Sequence, residues 1–310
     1  MTSIRETAEK FNTDDFKGRI LFSETMANHT TFRIGGPAPL FIEPFDVPSL
    51  RFALSVLKTD AVPYFVLGGG SNIVVSDKGF EGAVVSMSAL CHIEADGEYV
   101  ASGAGASVSS VVSFCTEHAL SGLEAFAGLP GSAGGAVYMN ARCFDVSVSD
   151  VLSEVRYIDG STLEEKTYRF NAVDWDYKIS PFQNTPRIVT RAVFKTKKLS
   201  EDKKNEIAER CKTCVAERSA KGHYKFPSAG SVFKNNRAFG KPSGKIIDEA
   251  GLKGMRSGGA QVAPWHGNFI VNTGGATAAD VRALADRIVE IVRQKTGFTL
   301  ECEILFCGIR

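Results

Sequence analysis

The sequence lacks the features that would mark a secreted or membrane-embedded protein. Its amino terminus, MTSIRETAEKFNTDD, is charged and has no apolar run of the kind found in signal peptides. No stretch approaches the roughly 18 consecutive apolar residues of a membrane span. The cysteines, seven in 310 residues, are odd in number and scattered, which argues against a disulfide framework. These absences predict a cytoplasmic protein with no membrane association.

An excess of either charge is also missing. The formal net charge is +1, whereas a nucleic-acid-binding domain needs clustered lysine and arginine. With 44% hydrophobic and 23% charged residues, the chain has the composition of an ordinary folded protein of two or three domains. We therefore predict no nucleic-acid partner, and nothing in the sequence implies an obligatory protein partner.

A metal site is not predicted either. Cys211 and Cys214 form a CxxC, but they lie in a charged helical pattern, EIAERCKTCVAERSAKG, with no second CxxC or histidine pair nearby. Two small side chains on one helix explain the spacing better than zinc or redox chemistry.

Several segments have readable secondary structure. Residues 20–90 look like short strands separated by glycine turns. A helical pattern follows Ser107, and an antiparallel sheet is predicted around the turn at Asp159-Gly160. A charged helix should cover residues 201–219.

The end of the chain forms a helix and a strand in this interpretation. Thr277 caps the helix and Gly297 ends it. The alternating pattern of TLECEILF, residues 299–306, predicts a strand with Glu301 and Glu303 on the face away from the core.

Two glycine-rich clusters, LGGGSNIVV and GLPGSAGGAVYMN, suggest contact with an anion. Glycine lets the backbone approach a phosphate closely, and a following helix start adds N–H donors. Neither cluster has the glycine spacing of a Rossmann fingerprint or a P-loop. Each cluster alone is therefore compatible with a plain tight turn. Together, the two clusters are also compatible with a dinucleotide bound outside a Rossmann domain.

The motifs of the chain resemble one known family. TTFRIGGPA, VLGGGSNIVVSDKGFEGAVV and LPGSAGGAVYMNA are similar to the flavin-binding segments of UDP-N-acetylenolpyruvoylglucosamine reductases (MurB). FPSAGSVFKN, GKIIDEAGLKGMRSGGAQV, HGNFIVN and LECEILFCG are similar to the substrate domain of that family, in the same order. Only a short stretch joins DYKISPF to PSAGSVF, which resembles the shorter, type II-like form of the enzyme.

The resemblance implies an α+β fold in three parts. Residues 1–85 and 86–220 would form the two subdomains of an FAD-binding module of the vanillyl-alcohol oxidase type, and residues 221–310 a C-terminal α+β substrate-binding domain. It also implies that NADPH reduces bound FAD and leaves before the enolpyruvyl sugar nucleotide enters, in a ping-pong order. The product would be UDP-N-acetylmuramate, a peptidoglycan precursor.

The resemblance also implies roles for individual residues. Ser231 would be the proton donor, Glu303 the catalytic glutamate, and Lys178 the cation that holds the enolpyruvyl carboxylate. The residues implied to bind FAD are Arg33, Gly68, Gly69, Gly70, Ser71, Asn72, Gly131, Ser132, Gly134, Gly135 and Asn140. Those implied to bind the sugar nucleotide are Tyr177, Lys234, Asn235, Lys253 and His266.

One departure from the family pattern concerns Lys178 itself, because the family carries arginine there. Lysine keeps the charge but loses the planar fork that binds a carboxylate at two points. Lys178 could serve the same electrostatic role less tightly, or Arg142 could supply the fork. The remaining alternative is a flavoprotein of the same fold with weak activity or another electron acceptor. We favour the first, since charge stabilisation depends on the cation more than on its shape. Leu305 also stands where many relatives carry arginine, with no effect that the sequence predicts.

Overall fold

The computed structural model describes residues 3–308. Its elements up to the second glycine cluster are α1 (Ile4–Glu9), β1 (Gly18–Thr25), β2 (Pro37–Pro44), α2 (Val47–Thr59), β3 (Tyr64–Leu67), β4 (Ile73–Val75), β5 (Ala83–Ser86), β6 (Ile93–Asp96), β7 (Tyr99–Gly103), α3 (Val108–Glu117), β8 (Leu120–Ser121) and α4 (Ala133–Tyr138). The middle of the chain contains β9 (Arg142–Cys143), β10 (Val146–Ser147), β11 (Leu152–Asp159), β12 (Glu165–Arg169), β13 (Arg187–Lys195), β14 (Lys197–Lys198) and α5 (Lys204–Ala220). The last elements are β15 (Ser228–Ser231), α6 (Ser243–Glu249), β16 (Arg256–Ser257), β17 (Ala260–Val262), β18 (Phe269–Asn272), α7 (Ala278–Thr296) and β19 (Leu305–Cys307).

These elements form two compact units. The first contains residues 3–22, 39–69 and 82–216, and the second contains residues 23–38, 70–81 and 217–308. The three-part division at residues 85 and 220 stays a prediction. Within residues 3–308, no helix has the length and apolar character needed to cross a bilayer.

The first unit is built on two sheets. One has the strand order β1-β2-β5-β3, in which β5 pairs in parallel with both β2 and β3. The other, β12-β11-β13-β7-β6, is antiparallel throughout, which confirms the sheet predicted around Asp159-Gly160. A single cluster of buried apolar side chains joins these sheets to α2, α3 and α4.

Helix α2 corrects the prediction that residues 20–90 contain only strands. The carboxylate of Asp46 accepts a hydrogen bond from the Ser49 N–H at 2.8 Å, and a proline lies in the first turn. Leu50, Leu54 and Leu57 then recur at helical spacing and are buried. A helix forms because this face packs into the core between the parallel strands.

The second unit combines a four-stranded sheet, β15-β18-β17-β16, with α7. Thr277 and Gly297 cap α7 at its two ends, which confirms the predicted bounds of this helix. Asp77 adds a second cap, since its carboxylate accepts hydrogen bonds from the Ala278 and Ala279 N–H groups at 2.7 and 3.1 Å.

The strand predicted over residues 299–306 is wrong in extent. The segment first bonds to residues 232–234, through Lys234 N–H to Glu301 O and Glu303 N–H to Val232 O. It then changes partner, and only β19 pairs as a strand, in parallel with β4.

Candidate functional site

The two glycine-rich clusters meet in the first unit through one serine. The Ser132 hydroxyl accepts hydrogen bonds from the Gly69 and Gly135 N–H groups, both at 3.2 Å. The second of these bonds caps the start of α4. Ser132 is 3% exposed, so its hydroxyl is a buried link between the clusters.

Glycine is required here because the loops touch backbone to backbone. A Cβ at Gly69 would lie 2.6 Å from the Gly131 Cα, and one at Gly68 would lie 2.6 Å from the Ser132 hydroxyl. A Cβ at Gly134 would lie 2.7 Å from the Ala104 Cβ. Gly68 and Gly69 therefore serve the approach of the two loops to each other, and Gly134 serves the packing of α4 against Ala104.

The second cluster can approach a cofactor through its glycines. The first N–H groups of α4 are used within the protein, since Ala133 donates to the Ala106 carbonyl at 2.8 Å and Gly134 to the Ala104 carbonyl at 2.9 Å. Gly131 and Gly135, in contrast, are partly exposed, and glycine lets the backbone come close to a phosphate. A Cβ at Gly135 would have the Ser132 hydroxyl, at 3.3 Å, as its one neighbour within 4 Å, so this glycine faces open space. These features suit the FAD implied by the resemblance.

Lys178 lies on a hydrogen-bonded turn in the same unit. Asp176 and Ile179 exchange backbone hydrogen bonds of 3.3 and 3.0 Å, and Lys178 itself has φ +60°. Tyr177, 36% exposed, precedes it. Lys178 is half-buried, so the turn carries a cation that is partly withdrawn from solvent.

Arg142 is engaged within its own hairpin. Its guanidinium donates to the Ser147 hydroxyl at 3.2 Å and to the Asp145 carboxylate at 3.0 Å. Arg142 therefore lies beside an exposed carboxylate, and the alternative in which its guanidinium supplies the fork stays open. Asn140, buried to 2% exposure, donates to the Asp176 carbonyl at 2.9 Å and accepts from the Ser149 N–H at 3.1 Å.

In the second unit, Arg33 projects from a tight turn. It is exposed, has φ +56°, and lies between the buried side chains of Phe32 and Ile34. The turn is tied to the sheet of this unit by Thr31, whose hydroxyl donates to the Ser228 carbonyl at 2.7 Å. Asn272 adds a bond to the Phe32 carbonyl at 3.2 Å. The arginine is therefore presented on a braced turn.

Ser231 and Glu303 lie on neighbouring segments of the second unit. Ser231 follows an irregularity in β15 where Gly230 has φ +74°. The Glu303 N–H donates to the carbonyl of Val232, the residue after Ser231, at 2.7 Å. Asn72 joins this pair, since its amide donates to the Glu303 carbonyl at 3.1 Å. Gly70 and Ser71 directly precede Asn72. This part of the first glycine cluster therefore lies beside the segments that carry Glu303 and Ser231.

The structure separates the two glutamates that the strand pattern could not distinguish. The Glu301 side chain is 71% exposed and accepts from the Lys234 ammonium at 2.5 Å. Glu303 is half-buried. Because Glu301 is largely exposed and Glu303 is half-buried, Glu303 is the better candidate for the catalytic carboxylate.

The remaining predicted substrate residues cluster around α6. The Asn235 amide oxygen accepts from the Ser243 N–H at 2.9 Å, and the Lys253 ammonium is 3.1 Å from the Asp248 carboxylate. His266 accepts a hydrogen bond from the Asn268 N–H at 3.2 Å. Burial lowers the pKa of His266, so it is a neutral acceptor near pH 7.

Residues 3–308 contain no group of three or more histidine, cysteine or acidic side chains placed to hold a metal ion. Cys211 and Cys214 pack against the core of the first unit, and burial raises the pKa of the Cys211 thiol. A raised pKa disfavours the thiolate that metal binding and redox chemistry require.

Sequence reasoning missed two features of the site. Gly230 was not singled out, although a glycine before a candidate catalytic serine is a signal of an irregular strand. Gln183, which donates to the Lys178 carbonyl at 3.1 Å, follows the DYKISPF segment directly and has no role in the sequence analysis. No sequence pattern distinguishes such an amide from any surface glutamine.

Two models of known protein families match parts of the chain. Residues 38–163 match a family model described as an FAD binding domain. Residues 222–307 match one described as the UDP-N-acetylenolpyruvoylglucosamine reductase C-terminal domain. These matches confirm the prediction of an FAD-binding part followed by a distinct C-terminal domain.

Curated relatives match along most of the chain. A UDP-N-acetylenolpyruvoylglucosamine reductase of Treponema denticola is 48% identical over 308 residues, 94% of each chain. One from Borreliella burgdorferi is 39% identical and covers 93% of this chain and 94% of its own. The crystal structure of the MurB of Thermus caldophilus aligns with a TM-score of 0.77 at 32% identity, over 94% of this chain and 100% of that one. The α+β fold predicted from the motifs is thereby confirmed, and the chain belongs to the UDP-N-acetylenolpyruvoylglucosamine reductase family.

Proposed function

We propose that the chain reduces UDP-N-acetylglucosamine enolpyruvate to UDP-N-acetylmuramate with electrons from NADPH, through bound FAD. The observation that carries this is the pairing of the Ser231 segment with the Glu303 segment in a chain whose other half has an FAD-binding match. In this proposal residues 1–85 and 86–220 hold FAD and residues 221–310 bind the sugar nucleotide. The enzyme acts in the cytoplasm on small molecules alone, without nucleic acid, membrane or obligatory protein partner.

FAD would be held by the linked glycine clusters. Gly68, Gly69 and Ser132 bring the two loops together, and the glycine backbone of the loops lets a diphosphate approach closely. The other residues assigned to the cofactor are Arg33, Gly70, Ser71, Asn72, Gly131, Gly134, Gly135 and Asn140. When bound and reduced by NADPH, FAD supplies the hydride for the methylene carbon of the substrate.

The chain's own residues manage the charge and the proton. Hydride addition leaves negative charge on the carbon next to the substrate carboxylate, and Lys178 stabilises that charge by contact with the carboxylate. Ser231 donates the proton that this carbon takes up. Glu303, on the neighbouring segment, is the second residue assigned to this proton transfer. Both residues are anchored by backbone hydrogen bonds, which limits their motion relative to each other.

The remaining assigned residues bind the substrate. Lys253 supplies a point charge for its diphosphate, oriented by Asp248 at 3.1 Å. The same substrate would also be contacted by Tyr177, Lys234, Asn235 and His266. Lys234 would exchange its bond with Glu301 for the sugar nucleotide, which is inexpensive because that pair is at the surface.

The test separates the two half-reactions. The FAD-loaded protein is mixed anaerobically with NADPH, and UDP-N-acetylglucosamine enolpyruvate is then added while the flavin absorption is followed. Bleaching by NADPH and substrate-dependent recovery are expected. Recovery only on admission of oxygen would contradict the proposal and indicate another acceptor.

Ser231→Ala should slow the substrate step on the order of 10²–10⁴-fold and leave reduction by NADPH near normal. Loss of a proton donor affects only the step in which the proton is transferred. Equal slowing of both half-reactions would count against a proton-donor role for Ser231.

A further inference from the structure

The turn that carries Lys178 has a backbone conformation that a lysine does not adopt by itself. With φ +60°, Lys178 occupies the left-handed region, which is unfavourable for residues with a Cβ other than asparagine and aspartate. Such a conformation persists only where surrounding contacts determine it, and it is found often at functional sites. The contacts that hold the turn therefore bear on how the cation is placed.

Three polar side chains fasten this turn to main-chain groups. The Gln183 amide donates to the carbonyl of Lys178 itself at 3.1 Å. The Asn140 amide donates to the Asp176 carbonyl at 2.9 Å, and the Ser180 hydroxyl donates to the Tyr138 carbonyl at 2.7 Å. The last two bonds fix the turn to the C-terminal end of α4, whose first turn is capped by Ser132.

The aromatic residues below the turn make its base rigid. Phe182 is fully buried and packs edge-on against Tyr157 and Tyr168, with ring centroids 5.9 and 5.6 Å apart. Gln183 follows Phe182 directly and is half-buried. Its amide is therefore held from one side by a fixed backbone while it reaches the Lys178 carbonyl on the other.

We propose that Gln183 is a positioning residue for Lys178. This inference rests on the proposed role of Lys178 in holding the substrate carboxylate. A lysine makes single-point contacts, so its direction depends on the backbone from which it leaves more than that of an arginine fork would.

The test compares Gln183→Leu with Thr185→Val. Thr185 makes the same kind of bond in the same loop, from its hydroxyl to the Phe182 carbonyl at 3.0 Å, but does not contact Lys178. We expect Gln183→Leu to slow substrate-dependent flavin reoxidation by roughly 10- to 100-fold, because a misplaced cation loses transition-state contact. Reduction by NADPH should stay within about two-fold of the parent, and Thr185→Val should resemble the parent in both steps.

A double substitution separates positioning from general loss of structure. If Gln183 acts through Lys178, adding Gln183→Leu to Lys178→Met should produce little further slowing, since coupled residues are not additive. Amide hydrogen exchange across residues 176–179 should rise in Gln183→Leu and not in Thr185→Val, a readout independent of activity.

The inference is overturned if Gln183→Leu slows both half-reactions equally, matches Thr185→Val, or keeps its full effect in the Lys178→Met protein. Failure of the proposed function looks different, because the parent itself would then not be reoxidised by the sugar nucleotide. That result would overturn the inference as well, since Lys178 would have no carboxylate to meet.

Discussion

Ser132→Ala tests whether one buried hydroxyl joins the two glycine clusters. The hydroxyl accepts two backbone N–H groups, those of Gly69 and Gly135, at 3.2 Å each. Loss of the cap on α4 costs about 1 kcal/mol. Loss of the Gly69 bond costs about 1 kcal/mol more. The free energy of unfolding should therefore fall by about 2 kcal/mol.

Ser107→Ala is the matched control. Ser107 caps α3 by accepting the Ser110 N–H at 2.9 Å, in the same unit, but it does not bond the first glycine cluster. Its replacement should cost about 1 kcal/mol. The difference of about 1 kcal/mol represents the link between the clusters. Because the joined clusters are the arrangement proposed to bind FAD, loss of the link should raise the Kd for FAD, by at most about five-fold.

Two measurements check this reasoning. Urea denaturation of the apoprotein gives the unfolding free energies, and quenching of FAD fluorescence on titration gives the Kd. The reasoning is refuted if the two alanine variants lose the same stability and bind FAD equally well, because Ser132 would then be an ordinary helix cap.

Three further predictions follow from the site. Lys178→Met should slow flavin reoxidation by the substrate on the order of 10²–10³-fold, and Lys178→Arg far less, since arginine keeps the charge; stopped-flow absorbance that finds both variants equal to the parent would make Lys178 a surface charge. Glu303→Gln should slow the same step at least about 10²-fold. The rate of Glu301→Gln should stay within about three-fold of the parent, because this change breaks only a surface ion pair. If steady-state assays find Glu301→Gln the slower variant, the catalytic role belongs to Glu301. Burial lowers the pKa of His223 to about 4, below its ordinary 6.5. Between these values the unfolded chain binds the additional proton, so the free energy of unfolding should fall by about 1–2 kcal/mol as pH falls, after allowance for partial exposure. His223→Phe keeps the stacking on Phe269, at 4.9 Å, and should flatten this dependence in denaturation curves taken from pH 7 to 4.

Some helices could be predicted from residues close together in the sequence. The bounds of α7 follow from Thr277 and Gly297, because a cap and a left-handed terminator act within a few residues of the chain. Helix α2 was equally predictable from the Asp46 cap and the leucine spacing. The glycine turns around it nevertheless led to a prediction of strands alone.

The extent of a strand depends on partners far away in the chain. Residues 299–306 have the alternation of a strand, but the segment changes from residues 232–234 to β4, and only residues 305–307 pair continuously. The same change of partner distinguishes Glu301 from Glu303. Their positions in an alternating pattern are equivalent, but the Glu301 side chain is 71% exposed whereas Glu303 is half-buried.

The sequence by itself determined the family, the use of FAD and the identity of the chemically capable residues, because motifs preserve residue type and order. The tertiary structure decided which of them lie together. It joined Gly69 to Ser132 across 63 positions and set Val232 beside Glu303. It also placed the Gln183 amide on the carbonyl of Lys178, which holds the lysine in a conformation that no local preference would select. Hydrogen bonds between distant backbone groups form only in the folded chain, and for that reason no linear pattern records them.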